Sequence, residues 1–172
     1  MTRVEPPYFP NLTFGDKADL DDFMQQWFGK HLRSMEEPRL RAESIAETIR
    51  ILTLPTFHEP TLVRIERLES CTAITSKRTD GRGGYGPGRV TLDQMSEHDA
   101  SVFSDAKSLL EEIDYWNLPV LDDACVLDGT RQVIESNIGG KYHVIERADP
   151  KKNERRPIQW LYSQSTGLGI GG

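Results

Sequence analysis

The sequence predicts an α+β fold, a mainly antiparallel sheet of about five to six strands packed by two principal helices. Three observations carry that expectation. Two stretches repeat apolar residues at three- and four-residue steps. The runs between and after them are β-branched and alternating, and turn signals separate those runs at short intervals.

The first helix is expected over Asp16 to Met35, where Leu20, Phe23, Met24, Trp27, Phe28 and Leu32 form an apolar stripe that should be buried. Asp16, Asp19, Asp21 and Asp22 near its start, and Lys30, His31 and Arg33 near its end, match the helix dipole. Glu36 to Ala46 is ambiguous, since Pro38 suits a first helical turn and Ile45, Ala46 and Ile49 could continue one. From Thr48 the β-branched run IRILTL, and then TLVRIERL after the turn-like HEP, predict two paired strands. A third strand near Thr72 to Arg78 runs into DGRGGYGPGR. Five glycines and one proline within residues 80–89 demand a loop there, and pairing resumes over Arg89 to Leu92.

Ser96 is the expected N-cap of the second helix, with Asp99 in capping-box position. Val102, Phe103, Ala106, Leu109, Leu110 and Ile113 share its apolar face, so Glu97, Asp105, Glu111 and Glu112 should face water. Trp116, Leu118 and Pro119 close the segment, and Asp128-Gly129 marks a turn. Arg131 to Asn137 and Lys141 to Arg147 flank IGG as a hairpin. Tyr142 and Val144 lie on one side of its second strand, and His143, Ile145 and Arg147 on the other. Ile158, Trp160, Leu161 and Tyr162 suit one more strand or a short helix. The expected organisation is one domain over residues 1–165 and a flexible glycine-rich tail over 166–172.

Composition narrows the function classes. The 172 residues carry a formal charge of −6, which argues against a basic nucleic-acid-binding module. No apolar run approaches the roughly 18 to 20 residues of a membrane-spanning helix, and the start MTRVEPPYFP lacks the apolar core of a signal peptide. A soluble, cytoplasmic protein is expected. The charge is unevenly spread. Residues 1–92 hold 13 basic and 13 acidic side chains, residues 93–128 hold 1 and 10, and residues 129–172 hold 7 and 4. A dense acidic block can steer a basic partner through its summed field.

Chemical motifs are sparse. Gly81 to Gly88, with Arg82 and Arg89, resembles an anion cradle but lacks the Lys-Ser/Thr of a phosphate loop, so a strand-connecting loop is expected. His143 with Glu135, Asp128 and Arg147 forms an acid–base group if the hairpin register joins them. A surface ion-pair ladder explains the same residues equally well. The four histidines lack the i, i+4 spacing of a helical metal site. Cys71 and Cys125 have no metal-ligand spacing, and no Gly-x-Ser-x-Gly elbow is present. Reduced core thiols, no metal and no cofactor are expected.

Several segments together resemble a family of small, largely uncharacterised bacterial proteins. They are Thr56-Phe57-His58 with Pro60, Gly83-Gly84-Tyr85 with Pro87-Gly88, Tyr115 to Pro119, Asp128-Gly129 with Glu135, and Tyr142-His143 with Arg147. The resemblance covers about residues 50–150 and implies a compact α+β domain without an assigned reaction. Gln132 and Ala148 stand where similar proteins tend to carry tryptophan, which alters a packing or binding surface.

The functional expectation is a non-catalytic acidic binding protein, in the manner of an immunity protein that covers the active site of a cognate toxin with a basic surface. Asp105, Glu111, Glu112, Asp114, Asp122 and Asp123 would make the contact with Trp116 as anchor. Membrane and nucleic-acid partners are not expected. The alternatives are a small hydrolase-type enzyme using His143 with Glu135 or Asp128, and a regulatory module of a larger complex.

Overall fold

In the computed structural model, residues 6–124 and 126–164 are described. The expected tail over 166–172 and the Cys125 thiol lie outside the described residues. Helix α1 (Ala18–Ser34) precedes strands β1 (Thr48–Pro55), β2 (Thr61–Arg67), β3 (Thr72–Thr79) and β4 (Val90–His98). Helix α2 (Ser101–Glu112), a single 3₁₀ turn (Tyr115–Asn117), β5 (Thr130–Ile138), β6 (Lys141–Arg147) and helix α3 (Lys152–Ser163) follow. The strands form one antiparallel six-stranded sheet in the order β4-β3-β2-β1-β5-β6, so the fold is α+β.

Strand alternation divides the core into two layers. Ile49, Ile51, Val63, Ile65, Ile74, Ile134 and Ile145 point to one face, where Phe103, Ala106 and Leu110 of α2 and Ile158 and Leu161 of α3 cover them. Leu52, Leu54, Leu62, Val133 and Val144 point to the other, under Met24, Phe28 and Leu32 of α1 and the N-terminal Tyr8, Phe9 and Phe14. That N-terminal segment is tied to α1 by Asp21, which accepts from the Leu12 and Phe14 amides at 3.0 and 2.9 Å. The twelve residues of α3 settle the open choice between strand and helix in favour of helix.

Two expectations about these elements need correction. Ser96 does not cap α2: it lies in β4 opposite Ile74, and β4 continues to His98 opposite Thr72. The polar run DQMSEH has little strand character of its own, but its inner backbone groups pair with β3, and tertiary context overrides local propensity. Helix α2 starts at Ser101, whose amide donates to Asp99 Oδ1 at 2.8 Å. Glu97 therefore belongs to a strand rather than to the polar face of α2. The second correction concerns the stripe of α1. Met24, Phe28 and Leu32 are buried, but Phe23 is 60% exposed and Leu20 is 38% exposed. Residues 36–46 form no helix.

The α1 face also contains charge. Arg50, fully buried in the middle of β1, pairs with Glu37 at 3.3 Å and with Glu135 on the neighbouring strand β5. Glu37 also meets Lys77 at 3.0 Å and Arg64 at 3.1 Å, and the Tyr142 hydroxyl donates to Glu135. The turn after α1 thus brings one carboxylate to three cations on three strands.

Candidate functional site

The structure separates the expected contact residues. Asp105, Glu111 and Glu112 lie on the solvent side of α2, with Asp114 exposed just after it. Their field is locally opposed: Lys107 sits 3.8 Å from Glu111, and Arg156 of α3 sits 3.6 Å from Glu112. Asp122 is occupied with the backbone, accepting from the amides of Ala124, Ala148 and Asp149 at 3.3, 3.0 and 3.2 Å. Asp123 is exposed. Trp116 is half-buried and packs on the α2-side core, with its ring centroid 5.3 Å from that of Tyr115. The exposed carboxylates are real surface, yet they are interleaved with cations and divided between a helix and a loop.

The alternative polar cluster is taken apart by register. Ser136 pairs with His143 and Glu135 with Val144. Opposed residues share a face, so Glu135 and His143 point to opposite sides of the sheet. Glu135 faces the α1 layer with Arg50 and Tyr142. His143 lies among the rings of Tyr115 and Trp116, and its Nε2 donates to the Leu118 carbonyl at 3.0 Å. Burial lowers its pKa, opposed by that hydrogen bond. Arg147 is buried and committed: it bonds Glu154 of α3 at 3.0 Å and the carbonyls of Pro119 and Val120 at 3.1 and 3.2 Å. Asp128 is exposed on the loop before β5, and among the described residues no hydrogen bond or ion pair joins it to Glu135, His143 or Arg147. Among the described residues no group of three or more His, Cys, Asp or Glu side chains is placed to hold a metal ion.

A surface that the periodicity argument hid stands at one end of the sheet. Phe23 and Trp27 of α1 flank a groove of about 350 Å³ whose far wall is Tyr85, Leu127 and the Asp128-Gly129 turn. Phe23 is 60%, Tyr85 58% and Phe57 49% exposed, and the Phe57 and Tyr85 rings lie 6.3 Å apart. The frame around these rings is built from hydrogen bonds. Thr56 and Gly129 exchange backbone and hydroxyl bonds at 2.8, 2.9 and 3.1 Å. Gly83 and Gly84 donate to the carbonyls of His58 and Thr56, and the Arg82 guanidinium donates to the Phe57 carbonyl. The glycine loop therefore turns its central amides inward to the strand end and offers no cradle for an anion.

Only glycine fits at the centre of that loop. A Cβ on Gly83 would lie 2.5 Å from the backbone of Leu54 and Pro55, and one on Gly84 would lie 2.9 Å from Thr56 Cγ2. This close approach lets the Gly83 carbonyl accept from Trp27 Nε1 at 2.8 Å, locking α1 to the loop. The Arg131 guanidinium, paired with Glu146 at 2.6 Å, lies 5.2 Å from the Trp27 ring centroid on the groove side. Thr56, Gly84, Tyr85, Asp128 and Gly129 all line the groove, as does Ala148. The available sequence signal was Phe23 beside Trp27: two large rings one helical turn apart on the edge of an otherwise complete stripe.

His31 sits one turn beyond Trp27, fully buried, with its ring beside the Gly83 carbonyl. Burial, with help from Lys30 and against the Gly83 carbonyl, pulls its pKa down to about 4. Folding therefore favours the neutral ring. Between about pH 6.5 and pH 4 the unfolded chain binds a proton that the folded chain rejects, so stability falls as pH drops through that window. His31→Gln is expected to flatten part of this fall. Urea midpoints at about pH 7 and about pH 4.5 check it, and an equally steep loss in the variant contradicts the assignment.

No family model matches the chain, and no curated protein matches it either.

Proposed function

We propose that this chain is a non-catalytic binding protein that holds a protein partner, with inhibition of an antibacterial toxin by a cognate immunity protein as the pattern. The observation that carries the reading is the aromatic groove between α1 and the glycine loop. Exposed ring surface left in water forfeits about 25 cal/mol per Å² of burial, and contiguous apolar surface rimmed by polar groups is characteristic of docking sites. Here Phe23, Phe57, Tyr85 and Leu127 are displayed on a frame held by Thr56, Gly83, Gly84 and Gly129. A rigid frame lowers the ordering cost of association. Aromatic anchors are the side chains that dominate binding energy in protein interfaces. The exposed carboxylates of α2 lie on the opposite face of the sheet and serve the surface charge and encounter rate rather than the anchor.

The test is capture of a partner from native lysate by the full chain. Phe23→Ala with Tyr85→Ala is expected to weaken capture by at least about tenfold, equivalent to about 1.4 kcal/mol. Asp105→Asn with Glu112→Gln is expected to change it less, chiefly in salt dependence. Full capture by the aromatic double variant would overturn the groove as the anchor.

A further inference from the structure

The two edges of the sheet are finished differently. Outside β6, Leu121 forms a bridge with Glu146, and the Glu146 amide donates to the Val120 carbonyl at 2.6 Å. Outside β4, no strand among the described residues pairs with the outer edge. This strand has nine residues, which gives about 30 Å of edge. Asp93, Gln94, Met95 and Glu97 are all exposed, and Met95 is 64% so. Such an edge presents a row of backbone donors and acceptors ready for another strand.

We infer that the outer edge of β4 takes up an extended cationic segment of a protein partner as a seventh strand. Charge and spacing select the segment. Asp93, Met95 and Glu97 alternate with Gln94 and Ser96, so they share one face. Among the described residues the ion pair of Asp93 is a long contact with Lys77, 3.7 Å, and that lysine is already bonded to Glu37 and the Met35 carbonyl. Glu97 is opposite Ala73 and makes no ion pair among the described residues. An added strand with a cation, an apolar residue and a second cation at alternate positions would set them against Asp93, Met95 and Glu97. Cross-strand pairs of this kind stabilise a sheet, and like charges placed opposite one another destabilise it.

The same rule turns away a second copy of the chain. Self-pairing of β4 about Met95 sets Asp93 against Glu97, and self-pairing about Ser96 sets Asp93 against Asp99. About Gln94 the two acids fall diagonal to each other. The edge is therefore closed to itself and open to a basic strand, by backbone pairing with alternate side-chain selection. This inference stands apart from the aromatic groove, and either can fail without the other.

The probe is the synthetic peptide Thr-Lys-Thr-Val-Thr-Lys-Thr, titrated to millimolar concentration into the full chain while amide exchange of β4 is followed by NMR. Protection of alternate β4 amides is the expected result. Asp93→Asn with Glu97→Gln, both at exposed positions, is expected to weaken binding by about five- to tenfold at low salt. The same peptide N-methylated on alternate residues should lose its protection in at least one of its two methylation phases. Absence of protection by the cationic peptide overturns the inference. So does equal binding of a peptide with Glu in place of Lys, or protection that appears without peptide and grows with protein concentration, which would mark self-association.

Discussion

Arg50→Met is expected to destabilise the protein by about 3 to 5 kcal/mol, because removal of one partner leaves buried charge uncompensated. The guanidinium is 1% exposed and holds Glu37 and Glu135 at once, while its Nη1 donates to the Pro38 carbonyl at 2.6 Å. Its own charge is strongly favoured in place: desolvation opposes it, but Glu135 and then Glu37 outweigh that cost and raise its pKa. With methionine at this position, Glu37 retains Lys77 and Arg64, but among the described residues Glu135 keeps only the Tyr142 hydroxyl. The second carboxylate is therefore the origin of most of the loss. Urea unfolding of the full chain checks the figure, and an unchanged midpoint would refute it. Adding Glu135→Met to Arg50→Met should recover part of the stability, since an apolar pair of similar volume avoids the stranded charge. No recovery would place the loss in Arg50 packing rather than in Glu135.

This network explains why part of the molecule was readable in the sequence and part was not. The hairpin of β5 and β6 and the apolar faces of both long helices follow from periodicity, and the pairing of β1 with β2 from β-branched runs around a turn signal, all of them local features. A charge such as Arg50 inside IRILTL gives no local sign that Glu37 and Glu135 wait for it, because those partners are 13 and 85 residues away. Register had the same status. The parity of His143 and Glu135 was legible, but their separation onto opposite faces depended on a turn placing Ser136 against His143. The strand at Asp93 to His98 was hidden for another reason, since its polar residues owe their strand geometry to β3. The groove was missed because a helical stripe is assumed to be buried across its full width, whereas Phe23 lies just beyond the margin that the sheet covers.

Gly83→Ala is expected to disturb the groove through a single added methyl. Its Cβ would lie 2.5 Å from Leu54 carbonyl carbon and Pro55 oxygen, and both contacts are backbone atoms at the end of a central strand. They cannot swing aside as a flexible side chain would, so the loop must move outward. Overpacking of this kind costs about 1 to 3 kcal/mol. Displacement also removes the acceptor of Trp27 Nε1, and a lost hydrogen bond of this type adds about 1 kcal/mol. The two effects share one readout in tryptophan emission, because the indole would exchange the Gly83 carbonyl for water. They separate in function: the loop carries Tyr85 and fixes the groove wall against Phe57, so partner capture should fall together with the emission change. Gly86→Ala is the matched control, since a Cβ there meets nothing within 4 Å. If the Gly83 variant retained wild-type emission, stability and capture while the loop stayed in place, the close approach to β1 would have no role in shaping the groove. If emission shifted and stability fell but capture persisted, the groove would be a structural contact and the partner would dock elsewhere on the molecule.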